Sequence, residues 1–387
     1  MNEPPFQTIQ EIGVDELRKR LSALPGSETA NQSGREISGQ SGDQPGIETG
    51  GQSGNQPGSR PDIYTSTTSL IPPEHHTVCS ASRLFMEGVH FDPVYTPFSL
   101  LGVKMLVASM APLVARQVVP SQVVISVAVP NKYSVQMIEE LFIGIDRECK
   151  NMGIGLQCGD VTASHQHLIV SVHCSGFSPA KENKPDANES RQGVFQTGDL
   201  ICVTGDLGAA IAGLRILLRE KKFWMEHPEQ QFQPDFSGYE YVVGRQLHPE
   251  NPLLFLQALQ ARSIHPGMIV PITEGLIPAL EVLLHATNRS MKIFAPAMPI
   301  AVETRAVADE MEEDADKYAY YGGEDYEFLF TIPDTLLEDL EAEYGNMSVI
   351  GEITEYDTED GESTGRPTLT IHTGEGDRIK IESDGNK

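Results

Sequence analysis

Strand-like and helix-like stretches follow one another in this chain without regular alternation, and no other feature limits the fold as much. Runs rich in β-branched and aromatic residues at 123–129, 168–174, 199–203, 327–332 and 349–353 read as strands. Apolar residues at helical spacing mark helices over 14–22, 100–114, 209–220 and 335–344. Ser134 is placed to cap a further helix through residue 150, with Met137, Leu141, Ile145 and Cys149 on one face. A doubly wound sheet needs repeated β-α-β units, so this order predicts an α+β chain. Lys104, the one charge in the apolar stretch 100–114, is expected to point to water.

Two domains and three appendages are expected. Residues 26–62 are dominated by Gly, Ser, Gln, Asn and Pro, and QSGDQPG at 40–46 returns as QSGNQPG at 52–58. Such a segment buries too little apolar surface to offset its ordering entropy, so it is expected to be disordered. It separates a helix segment at 1–25 from a first domain at 63–178. A charged, proline-bearing stretch at 178–190 opens a second domain at 179–354, and 355–387 forms an acidic tail.

The chain has 39% hydrophobic residues among 387, enough for two cores. Its formal net charge of -27 argues against a nucleic-acid or anionic-membrane surface, since both need clustered basic residues. No stretch approaches the ~20 apolar residues that span a bilayer, and the first residues lack a basic-then-apolar leader. A cytoplasmic location is expected. Cys79, Cys149, Cys158, Cys174 and Cys202 are scattered without a CxxC pair and read as reduced core thiols.

Four short segments carry the candidate chemistry. Gly322-Gly323-Glu324-Asp325-Tyr326-Glu327-Phe328 opens the strand at 327–332. Its glycines permit a tight turn or a close ligand approach, and its acids stand at the start of a rigid element. The same heptapeptide also fits a plain Gly-Gly turn with solvated acids. The turn Thr204-Gly205-Asp206-Leu207-Gly208 can aim N–H groups at an anion, as many ordinary α/β turns can. Met86 to Asp92 puts His90 and Asp92 on a glycine-containing turn, and 158–164 reads as a small-residue turn.

In order and spacing, MEGVHFD at 86–92, CGDVTAS at 158–164, RQG at 191–193, TGDLGAAIAGL at 204–214 and GGEDYEFLF at 322–330 resemble bacterial thiamine-monophosphate kinases. The resemblance covers about 63–353. It implies a two-domain aminoimidazole-ribonucleotide-synthetase-like fold that dimerises through its N-terminal sheets, as a homodimer or as a heterodimer with a paralogue. It also implies transfer of the γ-phosphoryl group of ATP to thiamine monophosphate, with Mg²⁺. By position, His90 would contact the substrate's phosphate and Glu324 its thiamine portion. Gly159, Asp160, Arg191 and Thr273 would hold the nucleotide, and Asp160 and Glu274 would ligate Mg²⁺.

The departures from that family fall on its acids. Its GDDAAV segment gives way here to the repeat-bearing insert and Ser66-Thr67-Thr68-Ser69-Leu70. Ser82-Arg83 stands where the family has Thr-Asp, and Ala111-Pro112-Leu113 where it has Ser-Asp-Ile. Pro271-Ile272-Thr273-Glu274-Gly275 replaces DISDG, and the aromatic that packs on the substrate is not evident in 355–387. Phosphoryl transfer depends on positioning and on metal neutralisation of charge, so these losses predict a weak or inactive copy that keeps ligand binding. Arg83 would then supply a fixed positive charge in place of a metal ion. Two alternatives stay open: an active kinase with a metal site rearranged around Asp160, Glu274, Asp206 and Glu324, and a structural partner subunit of an intact paralogue.

Overall fold

The computed structural model describes residues 7–22, 72–179, 195–227, 235–355, 358–359, 362–363, 367–374 and 378–382. The insert at 26–62, Ser66 to Leu70 and Arg191 lie outside the described residues. The first helix, α1 (Ile9–Ser22), starts earlier than its periodicity suggested and is broken at Gly13, whose φ of 78° leaves the helical region. Leu17 and Leu21 bury its apolar stripe.

The first unit contains β1 (His76–Met86), α2 (Phe98–Val114), β2 (Pro120–Pro130), α3 (Val135–Met152), β3 (Gly155–Ser164) and β4 (Ile169–Pro179). Its sheet runs β1-β4-β2-β3, antiparallel except for the β2–β3 pair that α3 connects. Ser134 caps α3 as its sequence suggested, its Oγ accepting the Met137 amide at 3.3 Å. The helices α2 and α3 meet backbone to backbone. A Cβ added at Gly102 would stand 2.4 Å from the Leu141 carbonyl oxygen, and one at Gly144 would stand 2.1 Å from that of Ser99. Any side chain there forces the helices apart.

Two expectations fail in this unit. Residues 158–164 are not a turn; they belong to β3, which pairs in parallel with β2 from Gln122↔Gly155 to Pro130↔Ser164. Small residues serve because Gly159 crosses Ser126, whose Oγ would lie 2.6 Å from an added Cβ. Nor does Lys104 face water: it is 6% exposed. Besides the sheet and α3, elements of the second unit cover α2, so a helix that is apolar almost all round is enclosed.

The second unit runs β5 (Leu200–Thr204), α4 (Ala209–Glu226), α5 (Glu240–Leu247), α6 (Leu253–Ala261), β6 (Ile269–Ile272), α7 (Leu276–Thr287), β7 (Ser290–Phe294), α8 (Val302–Glu310), α9 (Ala315–Tyr321), β8 (Glu327–Ile332), α10 (Leu337–Glu343) and β9 (Met347–Thr354). The strand at 349–353 is not the last. After the short pair β10 (Thr358–Glu359) and β11 (Glu362–Ser363), β12 (Thr368–His372) joins β7 in parallel and β13 (Arg378–Glu382) antiparallel. The acidic composition of 355–387 hid a period-two pattern in which Leu369 and Ile371 are buried.

The second sheet has the order β13-β12-β7-β9-β5-β8-β6. Two large separate sheets and a short two-stranded one, with helices of irregular order, make the α+β class that the sequence predicted. Pro271 sits on edge strand β6, where a missing N–H is tolerated. β8 is buried along its whole length between β5 and β6. Its N-terminal end therefore delivers Glu324 to Tyr326 to the junction of the two units. None of the five cysteines forms a disulfide, and burial pushes the thiols of Cys174 and Cys202 up to about 12. Among the described residues no helix is long and apolar enough to cross a membrane.

Candidate functional site

The approach to β8 is unusual backbone. Gly323, Glu324 and Tyr326 have φ values of 73°, 62° and 55°. For side chains with a Cβ that region costs about 1–2 kcal/mol per residue, so neighbouring structure must hold it. The Glu324 amide donates to the Thr273 carbonyl at 2.9 Å and the Tyr326 amide to the Ile272 carbonyl at 3.2 Å. Consecutive side chains of the motif consequently reach different elements.

Glu324 joins the two units. Its Oε2 accepts Lys104 Nζ from α2 at 2.9 Å and Gln246 Nε2 from α5 at 3.0 Å. Burial works to raise its pKa, and Lys104, Gln246 and Arg83 outweigh it, leaving the carboxyl below the usual glutamate value. Burial likewise depresses the Lys104 ammonium, against the pull of Glu324. Asp325 points elsewhere. Its two carboxylate oxygens accept the amides of Gly208 at 2.9 Å and Ala210 at 3.1 Å, capping α4. Those N–H groups are thus taken from within the chain, not left open for an anion as the turn's sequence had suggested. Burial pushes the Asp325 carboxyl up to about 7 despite both bonds.

Glu327 completes the wall. It accepts Arg245 Nη2 at 2.6 Å and the Thr204 hydroxyl, and both members of the ion pair are about 6% exposed. Burial raises the Glu327 carboxyl, while Arg245 opposes the shift. Asp206, on the turn before α4, accepts the Tyr241 hydroxyl, and its Oδ1 is buried without a hydrogen-bond partner.

Arg83 and Pro112, two of the departures read in the sequence, act together. A proline has no N–H to give to the carbonyl four residues back, so the helical acceptor at Ala108 lacks its usual partner. Arg83 Nη1 supplies one at 3.4 Å. The guanidinium carbon lies 5.7 Å from the Tyr326 ring centroid and 5.9 Å from that of Phe85. An arginine is thereby fixed beside Glu324 and Lys104.

The remaining candidates are spread over several elements. His90 is exposed on the turn after β1; its Nδ1 accepts the Met86 amide at 3.1 Å, and its ring stands edge-on to Phe85 at 5.9 Å. Asp160 is exposed on β3, next to Gly159, and its Oδ1 accepts Arg18 Nη2 from α1 at 2.7 Å and the Val161 amide at 2.8 Å. Arg18 also donates to the Val161 carbonyl at 2.6 Å. Thr273 receives the Glu324 amide through its carbonyl, and Glu274 is exposed beside it.

Mg²⁺ takes an all-oxygen, near-octahedral shell, normally with one or two carboxylates. Here Asp160 is held by Arg18, Glu324 by Lys104, and Asp206 by Tyr241. Among the described residues no three His, Cys, Asp or Glu side chains form a group that could hold a metal ion. The described residues do not fit a metal cluster.

Sequence reasoning missed Arg18, Gln246 and Arg245, and it misplaced Lys104. It also ended α4 six residues early, at Glu220, and so passed over Trp224. That residue, with Tyr95, Phe236, Val94, Pro97 and Leu217, lines a cleft of about 390 Å³. Burial, then Asp92 and Glu324, push the Tyr95 hydroxyl up to about 12. The available signal was Phe223-Trp224-Met225, an apolar triplet that remains exposed at the end of a helix.

Fold and sequence comparison agree on the class. The family described as AIR synthase related protein, N-terminal domain, matches residues 67–178. A solved structure of AaThiL complexed with AMPPCP and TMP superposes with a TM-score of 0.61 at 23% identity, covering 76% of this chain and 87% of that one. Residues 67–178 thus match the N-terminal domain of the AIR synthase-like superfamily, and the chain shares that superfamily's fold. Within it, thiamine-monophosphate kinases are its homologues. That of Aquifex aeolicus is 25% identical over 64% of this chain and 73% of its own length, and that of Synechococcus elongatus is 25% identical over 74% and 82%.

Proposed function

We propose that this chain is a divergent thiamine-monophosphate kinase homologue that binds a phosphorylated, thiamine-like ligand and transfers phosphoryl groups from ATP slowly or not at all. The observation that carries this reading is the Arg18 guanidinium on Asp160 at 2.7 Å, a cation of the chain itself on the carboxylate expected to hold Mg²⁺. The ligand's ring system would use Glu324 and the Tyr95–Trp224–Phe236 cleft, which offers flat apolar walls. Asp325 and Glu327 support that wall structurally.

Turnover of ATP and thiamine monophosphate to thiamine diphosphate, followed by chromatography, tests the reading. The expected kcat lies well below the roughly 1–100 s⁻¹ of ordinary kinases. A rate within that range supports instead a kinase with a rearranged metal site, and Asp160→Asn would then abolish it.

A second reading concerns partners. On the uncovered face of the first sheet, Val78, Ser80, Ser82 and Leu84 of β1 are exposed and stand opposite Phe177, Ser175, His173 and Ser171 of β4. No Asp, Glu, Lys or Arg interrupts these rows in a chain of net charge -27. A surface of that kind favours sheet-to-sheet pairing with a second copy or with a paralogue. Sedimentation of wild type and Leu84→Lys distinguishes them: a dimer that the substitution dissociates supports self-pairing, and a monomer leaves only the paralogue.

A further inference from the structure

We propose that Arg83 is the anion-binding centre of this site and takes a phosphate group of a phosphorylated ligand directly, with no divalent cation between them. The inference rests on the preceding reading only for the organic half of that ligand. Its ligand class is a phosphate monoester or a diphosphate.

Placement comes first. Arg83 and Phe85 are two apart on β1 and therefore share a side of the sheet. The guanidinium is held against the Phe85 and Tyr326 rings, and Nη1 is anchored on the Ala108 carbonyl that Pro112 leaves unpartnered. An arginine carries five N–H donors in a planar fork, so this anchoring leaves most of them for a ligand. The side chain is half-buried, hence ordered by its surroundings yet within reach of solvent.

Charge comes second. The chain has 55 acidic residues against 28 lysines and arginines, yet no described carboxylate lies in ion-pair distance of Arg83. Beside it, Lys104 is matched by Glu324. The group Arg83, Lys104 and Glu324 therefore retains one positive charge at the junction of the two units. His90 adds a directed donor. Its Nδ1 accepts the Met86 amide, which puts the ring proton on Nε2, and its exposed ring shares Phe85 with the guanidinium.

The chemistry follows from geometry and sign. An arginine fork matches two oxygens of a phosphate in parallel hydrogen bonds, and such charge-assisted bonds are about twice as strong as neutral ones. A divalent cation on the same oxygens would be repelled by the guanidinium, and among the described residues no three His, Cys, Asp or Glu side chains gather to hold one. At this place, arginine and metal are alternatives.

Calorimetric titration of the full chain with inorganic pyrophosphate and with thiamine monophosphate, each in EDTA and in Mg²⁺, tests the proposal. Pyrophosphate is expected to bind in EDTA within about threefold of its affinity in Mg²⁺, and Arg83→Gln to weaken it about tenfold or more. Arg83→Lys, which keeps the charge without the fork, should fall between the two. Unchanged melting of both variants confirms that they fold; if Arg83→Gln melts early, the Lys variant decides.

Binding that requires Mg²⁺, binding that ignores both substitutions, or no pyrophosphate binding by wild type would each overturn the proposal. Arg83-dependent pyrophosphate binding without thiamine monophosphate binding would uphold the anion site and sink the thiamine reading. Thiamine monophosphate binding that both variants retain would do the reverse.

Discussion

The two acidic walls of this site differ in how their carboxylates are answered. At the approach to β8, Glu324 meets Lys104 and Gln246, Asp325 meets two backbone amides, and Glu327 meets Arg245 and Thr204. On β3, Asp160 is 65% exposed at its side chain and meets the Val161 amide and one arginine from α1, itself 15% exposed. The first wall is built into the fold, whereas the second is a surface contact. Removing one partner of a buried ion pair costs about 3–5 kcal/mol, while an exposed pair contributes about 0–1 kcal/mol. Similar residue types thus hold the molecule together in one place and merely occupy each other in the other.

The largest effect is expected at Arg245. Arg245→Met leaves Glu327 buried without its cation, near Asp206 and Asp325, and should cost about 3–5 kcal/mol in chemical denaturation. Adding Glu327→Gln should restore much of the loss, since the uncompensated charge is its cause. If the single variant is neutral, the first wall is no more structural than the second. Lys104→Met comes next, at about 1–3 kcal/mol, because Glu324 keeps Gln246 as a neutral donor.

Opposite pH dependences sharpen the contrast within the first wall. The Glu324 carboxyl is held low, so its contribution is present above the ordinary glutamate value and is lost as the pH falls through the lower folded value. The Asp325 carboxyl is raised from 3.8 to about 7, so its contribution is greatest below 3.8 and is lost as the pH rises toward 7. Asp325→Asn should therefore flatten the melting temperature of the protein against pH between those values. A slope unchanged by the substitution would assign the titration to another group.

Arg18→Ala is expected to have the smallest effect, about 0–1 kcal/mol by thermal melting. It also exposes Asp160, so any Mg²⁺ binding by the chain should rise, read by calorimetry. A large loss of stability would make the β3 wall structural after all.

Much of the first wall's shape is legible in the amino-acid order alone. The bounds of the strand at 327–332 follow from an apolar run after two glycines, and the cap at Ser134 follows from a hydroxyl ahead of a helical period. Asp160, Glu324 and His90 are legible as candidates from their motifs, but their partners are not. Lys104 defies its sequence because a lone lysine in an apolar helix normally turns outward, and only a carboxylate 220 residues away reverses that choice. Residues 158–164 defy theirs because small residues mark turns locally, while parallel pairing with β2 straightens them into a strand.

By itself the sequence determined several of the helices and strands, where some of them start, and which acids stand near glycines. Those properties depend on neighbours a few residues apart, through backbone sterics, capping and periodicity. Only the tertiary structure decided that Asp325 caps a helix whose first residues lie 117 positions earlier, and that Arg83 takes the carbonyl freed by Pro112. Charges and unpaired amides must be matched wherever burial removes water, and the match comes from whichever chain segment the fold brings within 3 Å or so. Sequence proximity does not enter that choice.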